Sequence, residues 1–207
     1  MKIWLPYLKS GSGTEVYTHL LAKGLTENGQ GAVASPIRRY WALCPWLLKA
    51  MRCPSETDVV LANPRTGFAF RRKGSKLVVT VHLTVFDQTC QRYDSAFQKF
   101  FHKSVLRHCF AKSLSAADHV VAVSRFVRRG VEQAYNVSNL TVIHNGIDTD
   151  MFTPTGGALK GENRKVRLLY VGNLTKRKGV DLLEPIMRKL GPAYELWYTK
   201  GLRTSDV

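Results

Sequence analysis

Acidic residues are scarce in this chain: 15 Asp and Glu stand against 31 Lys and Arg, a formal charge of +16 over 207 residues. Residues 1–165 hold 23 basic and 11 acidic side chains, so the excess is distributed and is not a tail. Such a field favours anionic partners, whether phosphorylated small molecules, an anionic membrane surface or nucleic acid. No nucleic-acid recognition motif and no aromatic stacking platform accompanies the charge, which argues against nucleic acid. Cysteine is also sparse. Cys44, Cys53, Cys90 and Cys109 form no C-x-x-C pair and no His/Cys ligand spacing. A zinc site or disulfide framework is therefore not expected, and reduced thiols in a cytosolic protein are. Long apolar runs are missing as well. Nothing approaches the ~20 apolar residues of a membrane span, and the run in MKIWLPYLKSGSG is too short for a signal peptide. The expectation is a cytoplasmic chain, soluble or peripheral to a membrane. There is no repeat of solenoid type.

What remains is an alternation of short apolar runs with longer helical segments. MKIWLPY reads as a first strand and GSGTE as a turn. Val16, Leu20, Leu21 and Leu25 then recur at helical spacing until Asn28-Gly29. GAVASPI is a second strand, and residues 41–53 read as a short helix between prolines. DVVLANP and KLVVTVHL are apolar and β-branched, as buried parallel strands are. SAFQKFFHKSVLRHCFAKSLSAA is a long helix, DHVVAVS a strand, and Ser124 a cap for RFVRRGVEQAY. LTVIHNG is a last strand. TPTGGALKGEN reads as a linker, after which the β-turn-α pattern restarts at VRLLYVG. This alternation predicts an α/β fold with a Rossmann-like, doubly wound parallel sheet. Residues 1–160 form one domain, and residues 166–207 form the incomplete start of a second, too short to bury a core of its own.

Ligands of such sheets sit where the carboxyl ends of strands meet the following loops. GSGTE, with Gly11, Gly13 and Thr14, ends the first strand. It is either a tight turn or a place where backbone N–H groups meet an anion at a helix N-terminus. His82 follows the strand KLVVTV. It either closes the strand or donates a hydrogen bond to a substrate or phosphate. Asn145-Gly146 makes a sharp turn, Asp148 suits a cap for the next turn, and Phe152 suits a packing anchor. In VGNLTKRKG, Lys176, Arg177 and Lys178 lie beside a strand-to-helix turn, either as a solvated basic loop or as cations for a diphosphate. The long helix interleaves Lys99, Lys103, Arg107 and Lys112 with Phe97, Phe100, Phe101, Leu106, Phe110 and Leu114. It either covers the sheet or presents those four cations to an anionic bilayer.

Four segments in this order, GSGTEVYTHLLAKGL, VVTVHLTVFD, AADHVVAVSRFV with LTVIHNGIDTDMFTP, and LLYVGNLTKRKGVDLL, resemble the family 4 glycosyltransferases. The resemblance covers nearly all of the chain. It implies the GT-B fold, in which an N-terminal acceptor-side domain faces a C-terminal nucleotide-sugar domain across a cleft. It implies retaining, metal-independent transfer of a sugar from a UDP- or GDP-sugar, with no cofactor, in glycan, lipopolysaccharide or glycolipid synthesis. Gly11, Gly13 and Thr14 are then expected near the donor phosphates and the acceptor, and His82 in the cleft, bonded to the transferred sugar. Asn145, Gly146, Asp148 and Phe152 are expected at the interdomain hinge, and Lys178 on the donor diphosphate. The acceptor is expected to be a glycan or a lipid-linked molecule, with attachment to the inner face of a membrane. Two positions depart from the family pattern. Asn173 stands where a phosphate-binding arginine is usual, and GSGT replaces a plain Gly-Gly. The family's acidic segment and nucleobase contacts have no counterpart here. The resemblance therefore implies that the 207-residue chain is inactive alone, or that it serves as a non-catalytic module for an acceptor, a membrane or a partner.

Overall fold

A computed structural model of the chain describes residues 1–83, 92, 93, 95–153 and 165–199. The TPTGGALKGEN stretch beyond Thr153 and the residues after Thr199 lie outside the described residues, as does Cys90. The chain forms two compact units, Met1–Gly146 and Ile147–Val207.

The first unit is built on a six-stranded sheet: β1 (Lys2–Leu8), β2 (Gly31–Ile37), β3 (Val59–Ala62), β4 (Lys76–Val81), β5 (His119–Ala122) and β6 (Leu140–Val142). Every pairing is parallel, and the spatial order is β2-β1-β3-β4-β5-β6. The order runs one way from β1 to β2 and the other way from β1 to β3, so the topological switch point lies between β1 and β3. The expected doubly wound Rossmann-like sheet is present. Helices α1 (Gly13–Glu27), α2 (Ala96–Phe101), α3 (Arg107–Ala116) and α4 (Arg125–Ala134) supply the crossovers, and a π-helical segment, His102–Leu106, joins α2 to α3.

The central strands are buried on both faces, as their continuous apolar runs require. Trp4, Val60, Val79, Val81 and Ala122 are fully buried. The Trp4 indole meets Phe70 edge-on, centroids 5.3 Å apart, and its Nε1–H donates to Ser35 Oγ at 2.9 Å. Phe70 belongs to a short 3-10 turn, Gly67–Phe70, pressed between the sheet and α3. A β-carbon at Gly67 would lie 3.1 Å from Val79 Cγ2 and 3.3 Å from Ser113 Cβ. Only glycine lets the turn approach this closely. The buried Ser113 hydroxyl accepts from Phe68 N–H at 2.9 Å.

Residues 41–53, expected as a helix, form two 3-10 turns instead, Arg39–Leu43 and Pro45–Ala50. Pro45 has no N–H to extend the first turn, and Cys44 takes an extended φ of −127° between them. Ser124 caps α4 as expected, its Oγ accepting from Val127 N–H at 3.1 Å.

The second unit holds β7 (Val166–Tyr170) and β8 (Tyr194–Tyr198), parallel to each other, with α5 (Val180–Leu190) between them. None of these three elements contains a buried residue. Leu169 is 68% and Leu182 58% exposed.

Candidate active site

The gap at the switch point has a sequence cause. Lys2 O accepts from Asp58 N–H at 2.9 Å, so the even residues of β1 turn their backbone groups toward β3. Trp4 continues that register against Val60. Pro6 is next and has no N–H to give. The β1–β3 ladder ends at Trp4, while β3 continues against β4 to Ala62. A crevice opens there, lined by Leu5, Pro6, Thr14, Tyr17, Asn63 and His82. It continues into a pocket of about 210 Å³ bordered by Thr14, Asn63, Arg65, His82, Leu106 and Phe110. Thr14, Asn63 and His82 are common to both.

His82 follows β4 directly and is half-buried. The Tyr17 ring meets its imidazole edge-on at 4.5 Å and 76°. Burial holds the His82 pKa below the ordinary histidine value, so the ring is neutral at neutral pH. A neutral imidazole has one donor and one acceptor nitrogen, so it can give one hydrogen bond and take another. Burial also raises the Tyr17 pKa, against a hydrogen bond with Thr80 that lowers it.

The glycine-rich turn already holds an anion. The N–H groups of Ser10 and Gly11 donate to Glu15 Oε2 at 2.9 and 2.7 Å. Those two backbone bonds are the main reason the Glu15 pKa is lowered. Gly11 takes a positive φ of 62°. A β-carbon at Gly13 would meet nothing within 4 Å, so the space in front of the α1 N-terminus is open.

Asn63 and Arg65, which sequence reasoning passed over, complete the pocket. Asn63 Oδ1 accepts from Arg65 N–H at 3.0 Å, and the Arg65 guanidinium lies 5.6 Å over the Phe101 ring. The available signal was their place at the end of an apolar strand, in VLANPR. Tyr17 falls in the expected helix and Glu15 in the GSGTE turn, and neither is singled out by the sequence.

Of the residues expected at the site, Thr14 and His82 meet in one pocket, with Gly11 and Gly13 in the turn just before Thr14. Asn145 and Gly146 close the first unit. Asp148 begins a turn, as expected: its Oδ1 accepts from Asp150 and Met151 N–H, each at 3.1 Å. Phe152 is 65% exposed and does not pack as an anchor among the described residues. Lys99, Lys103, Arg107 and Lys112 are all exposed, and Leu106, Phe110 and Leu114 of the same helical stretch are buried. Phe97 and Phe100, at its start, are 76% and 69% exposed.

Asn173 and Lys178 lie in the second unit, on a loop held by one hydroxyl. Tyr170 Oη–H reaches Asn173 O at 2.9 Å and Lys178 O at 3.3 Å. Lys176–Lys178 form a 3-10 turn that Gly179 ends at φ 80°, in the left-handed region, before α5. The turn concentrates three cations at the start of a helix, and both the charges and the helix N-terminus favour an anion.

Among the described residues no helix is long and apolar enough to cross a membrane. A family model described as Glycosyltransferase Family 4 matches residues 31–151, more than half of the chain. No curated protein matches it.

Proposed function

The chain belongs to glycosyltransferase family 4, and on that premise we propose that it transfers a sugar from a UDP- or GDP-sugar to an acceptor hydroxyl with retention. The observation that carries this reading is that His82 shares one pocket with Thr14, Asn63 and Arg65 at the switch point. In the proposed reaction the acceptor oxygen bonds to the sugar's anomeric carbon on the face that the diphosphate leaves. The acceptor proton passes to the departing phosphate oxygen. His82 holds the sugar through a hydrogen bond, and no metal is needed. Donors aimed at the developing diphosphate charge lower the barrier: in the second unit these are Lys178 and the Asn173 loop, and in the first the turn at Gly11, Gly13 and Thr14, where Glu15 holds the Ser10 and Gly11 N–H groups and the α1 N-terminus is the part left to an anion. Asn145, Gly146, Asp148 and Phe152 act as the hinge between the two sides. The acceptor is a glycan or a lipid-linked molecule, and the chain works in the cytoplasm, attached peripherally to the membrane. Lys99, Lys103, Arg107 and Lys112 suit lipid phosphates there.

A second reading is favoured by one observation: β7, α5 and β8 bury no residue. A nucleotide-sugar site on such a unit lacks a rigid frame, and this chain alone then serves as a module for an acceptor, a membrane or a partner. Turnover measured with a panel of UDP- and GDP-sugars separates the two readings. Turnover by the 207-residue chain is the outcome that transfer requires and would exclude the module, and no turnover with any donor favours the module. In a form that does turn over, unchanged activity in His82→Ala would remove His82 from the site.

A further inference from the structure

Between Glu27 and Glu56 the sequence has no acidic residue, yet Arg38, Arg39, Lys49 and Arg52 fall there, with two of the four tryptophans. The segment leaves the outer strand β2 and folds as the two 3-10 turns Arg39–Leu43 and Pro45–Ala50. Its inner side is fixed. Pro45 and Leu48 are buried. The Arg72 guanidinium donates to Lys49 O at 3.3 Å and to Met51 O at 3.0 Å, and the Trp46 ring lies 6.2 Å from Phe68. Its outer side is apolar: Leu43 is 64%, Leu47 58% and Tyr40 56% exposed, with Trp46 at 40% and Trp41 at 36%. A pocket of about 400 Å³ opens among Ile37, Tyr40, Trp41, Leu47, Leu48 and Met51. Arg38 also borders it and donates to the Tyr40 hydroxyl at 3.3 Å.

A contiguous apolar cluster of this kind on a soluble surface marks something that covers it. Its composition identifies the cover. Tryptophan and tyrosine combine an apolar ring with a polar N–H or O–H, and they concentrate where hydrocarbon meets water. Cations in a stretch of sequence that has no acidic residue attract anionic headgroups. Leucines on a rigid frame insert without first having to be ordered. The position fits too. Leu8 pairs with Ile37, and Lys9 N–H donates to Ile37 O at 2.9 Å. The segment therefore leaves the same carboxyl edge of the sheet that carries the crevice.

We propose that residues 38–52 dock this chain onto the anionic face of a lipid bilayer. Leu43 and Leu47 enter the acyl region, Tyr40 and Trp41 lie at the interface, and Arg38, Lys49 and Arg52 meet the headgroup phosphates. An acceptor rooted in that bilayer is then presented along the sheet edge toward His82. The proposal deepens the peripheral-membrane part of the function above and moves the contact from the basic helix to this segment. It does not depend on sugar transfer.

Co-sedimentation of the full chain with vesicles of equal parts phosphatidylglycerol and phosphatidylcholine tests it, with phosphatidylcholine alone as control. The chain is expected to pellet with the anionic vesicles, with a blue shift in tryptophan emission that needs no variant. Leu43→Asp with Leu47→Asp, both at exposed positions, is expected to lower partitioning roughly tenfold or more by removing the inserted surface while leaving the circular dichroism unchanged. Arg38→Gln and Arg52→Gln each lower it about fivefold, and Lys99→Gln with Lys103→Gln has the smaller effect. The proposal is overturned by any of three results: no pelleting of the wild type, full pelleting of the leucine pair, or a larger loss from the lysine pair. A dimer in vesicle-free solution that the leucine pair abolishes assigns the surface to a second copy instead and also overturns it.

Discussion

The Tyr17 ring stands edge-on to the His82 imidazole, centroids 4.5 Å apart, at the mouth of the gap between β1 and β3. The contact shields a titratable group from water, and burial lowers its pKa. Tyr17→Ala admits water and is expected to move the His82 midpoint back up toward ~6.5. Tyr17→Phe keeps the ring and leaves the midpoint in place. Histidine proton shifts followed by NMR against pH read both. The sign follows from the lowered pKa: the unfolded chain binds this proton more readily, so the stability tied to His82 is present above about pH 6.5 and falls as pH drops below it. Ligand binding that uses the neutral ring is flat above that pH and weakens on acidification.

Substitution at Gly13 is expected to separate folding from binding. Its added β-carbon meets nothing within 4 Å, so Gly13→Ala leaves the melting temperature within a few degrees, the change being worth no more than about 1 kcal/mol. A phosphate drawn close to the α1 N-terminus has no such room to spare. Binding of UDP, measured by calorimetry in a form that binds it, is expected to weaken by about tenfold or more through lost backbone approach. Unchanged affinity would place the phosphate elsewhere.

Gly67 behaves in the opposite way. Its β-carbon would press on Val79 and on Ser113 at 3.1 and 3.3 Å. Gly67→Ala is expected to cost about 1–3 kcal/mol by overpacking. Ser113→Ala leaves the buried Phe68 N–H without its acceptor, which also costs about 1–3 kcal/mol. Urea titration measures both. The two residues touch, so the double variant departs from additivity.

Asp118 ties the starts of β4 and β5 together. It accepts from Arg71 and, at 2.8 Å, from Leu77 N–H. The Arg71 hydrogen bond, followed by the Leu77 backbone bond, holds its pKa down to about 2. With a depressed folded pKa, its contribution is present above the unfolded value of ~3.9 and is lost as pH falls from there toward 2. After allowance for solvent screening it amounts to about 1 kcal/mol. Asp118→Asn removes that slope from the acid branch of the stability curve, and circular dichroism melts between those pH values detect it.

The alternation of strands and helices was legible because each buried parallel strand is a continuous apolar run and needs no partner to be recognised. MKIWLPY became Lys2–Leu8, and Ser124 became the cap of α4. The place of His82 on the crevice was legible because the crevices of α/β sheets lie at the carboxyl ends of their strands. Features that depend on a distant neighbour were not. The effect of Pro6 depends on which side of β1 its missing N–H would face, and that is set by Asp58. The turn at Gly67 carries no local signal, because the need for glycine comes from Ser113 on another element. Glu15 stands three residues after Ser12, the spacing of a capping box, yet its carboxylate reaches back to Ser10 and Gly11. Asn63 and Arg65 stand at the end of an apolar strand, but which strand ends share a pocket with Thr14 and His82 is set by the sheet order. The tripartite long helix, with its π-helical middle, reads from sequence as one continuous period.

The burial of β4 and the openness of β7 and β8 set two lifetimes for backbone protons in one chain. In β4, where Val79 and Val81 are fully enclosed, amide hydrogens trade with deuterium only when the first unit opens as a whole. In β7 and β8, where nothing is buried, small local openings suffice, so this strand pair acquires label early. A nucleotide-sugar held by the Lys178 loop would therefore leave its clearest trace in residues 166–198, as slow exchange in a segment that is otherwise among the first to label.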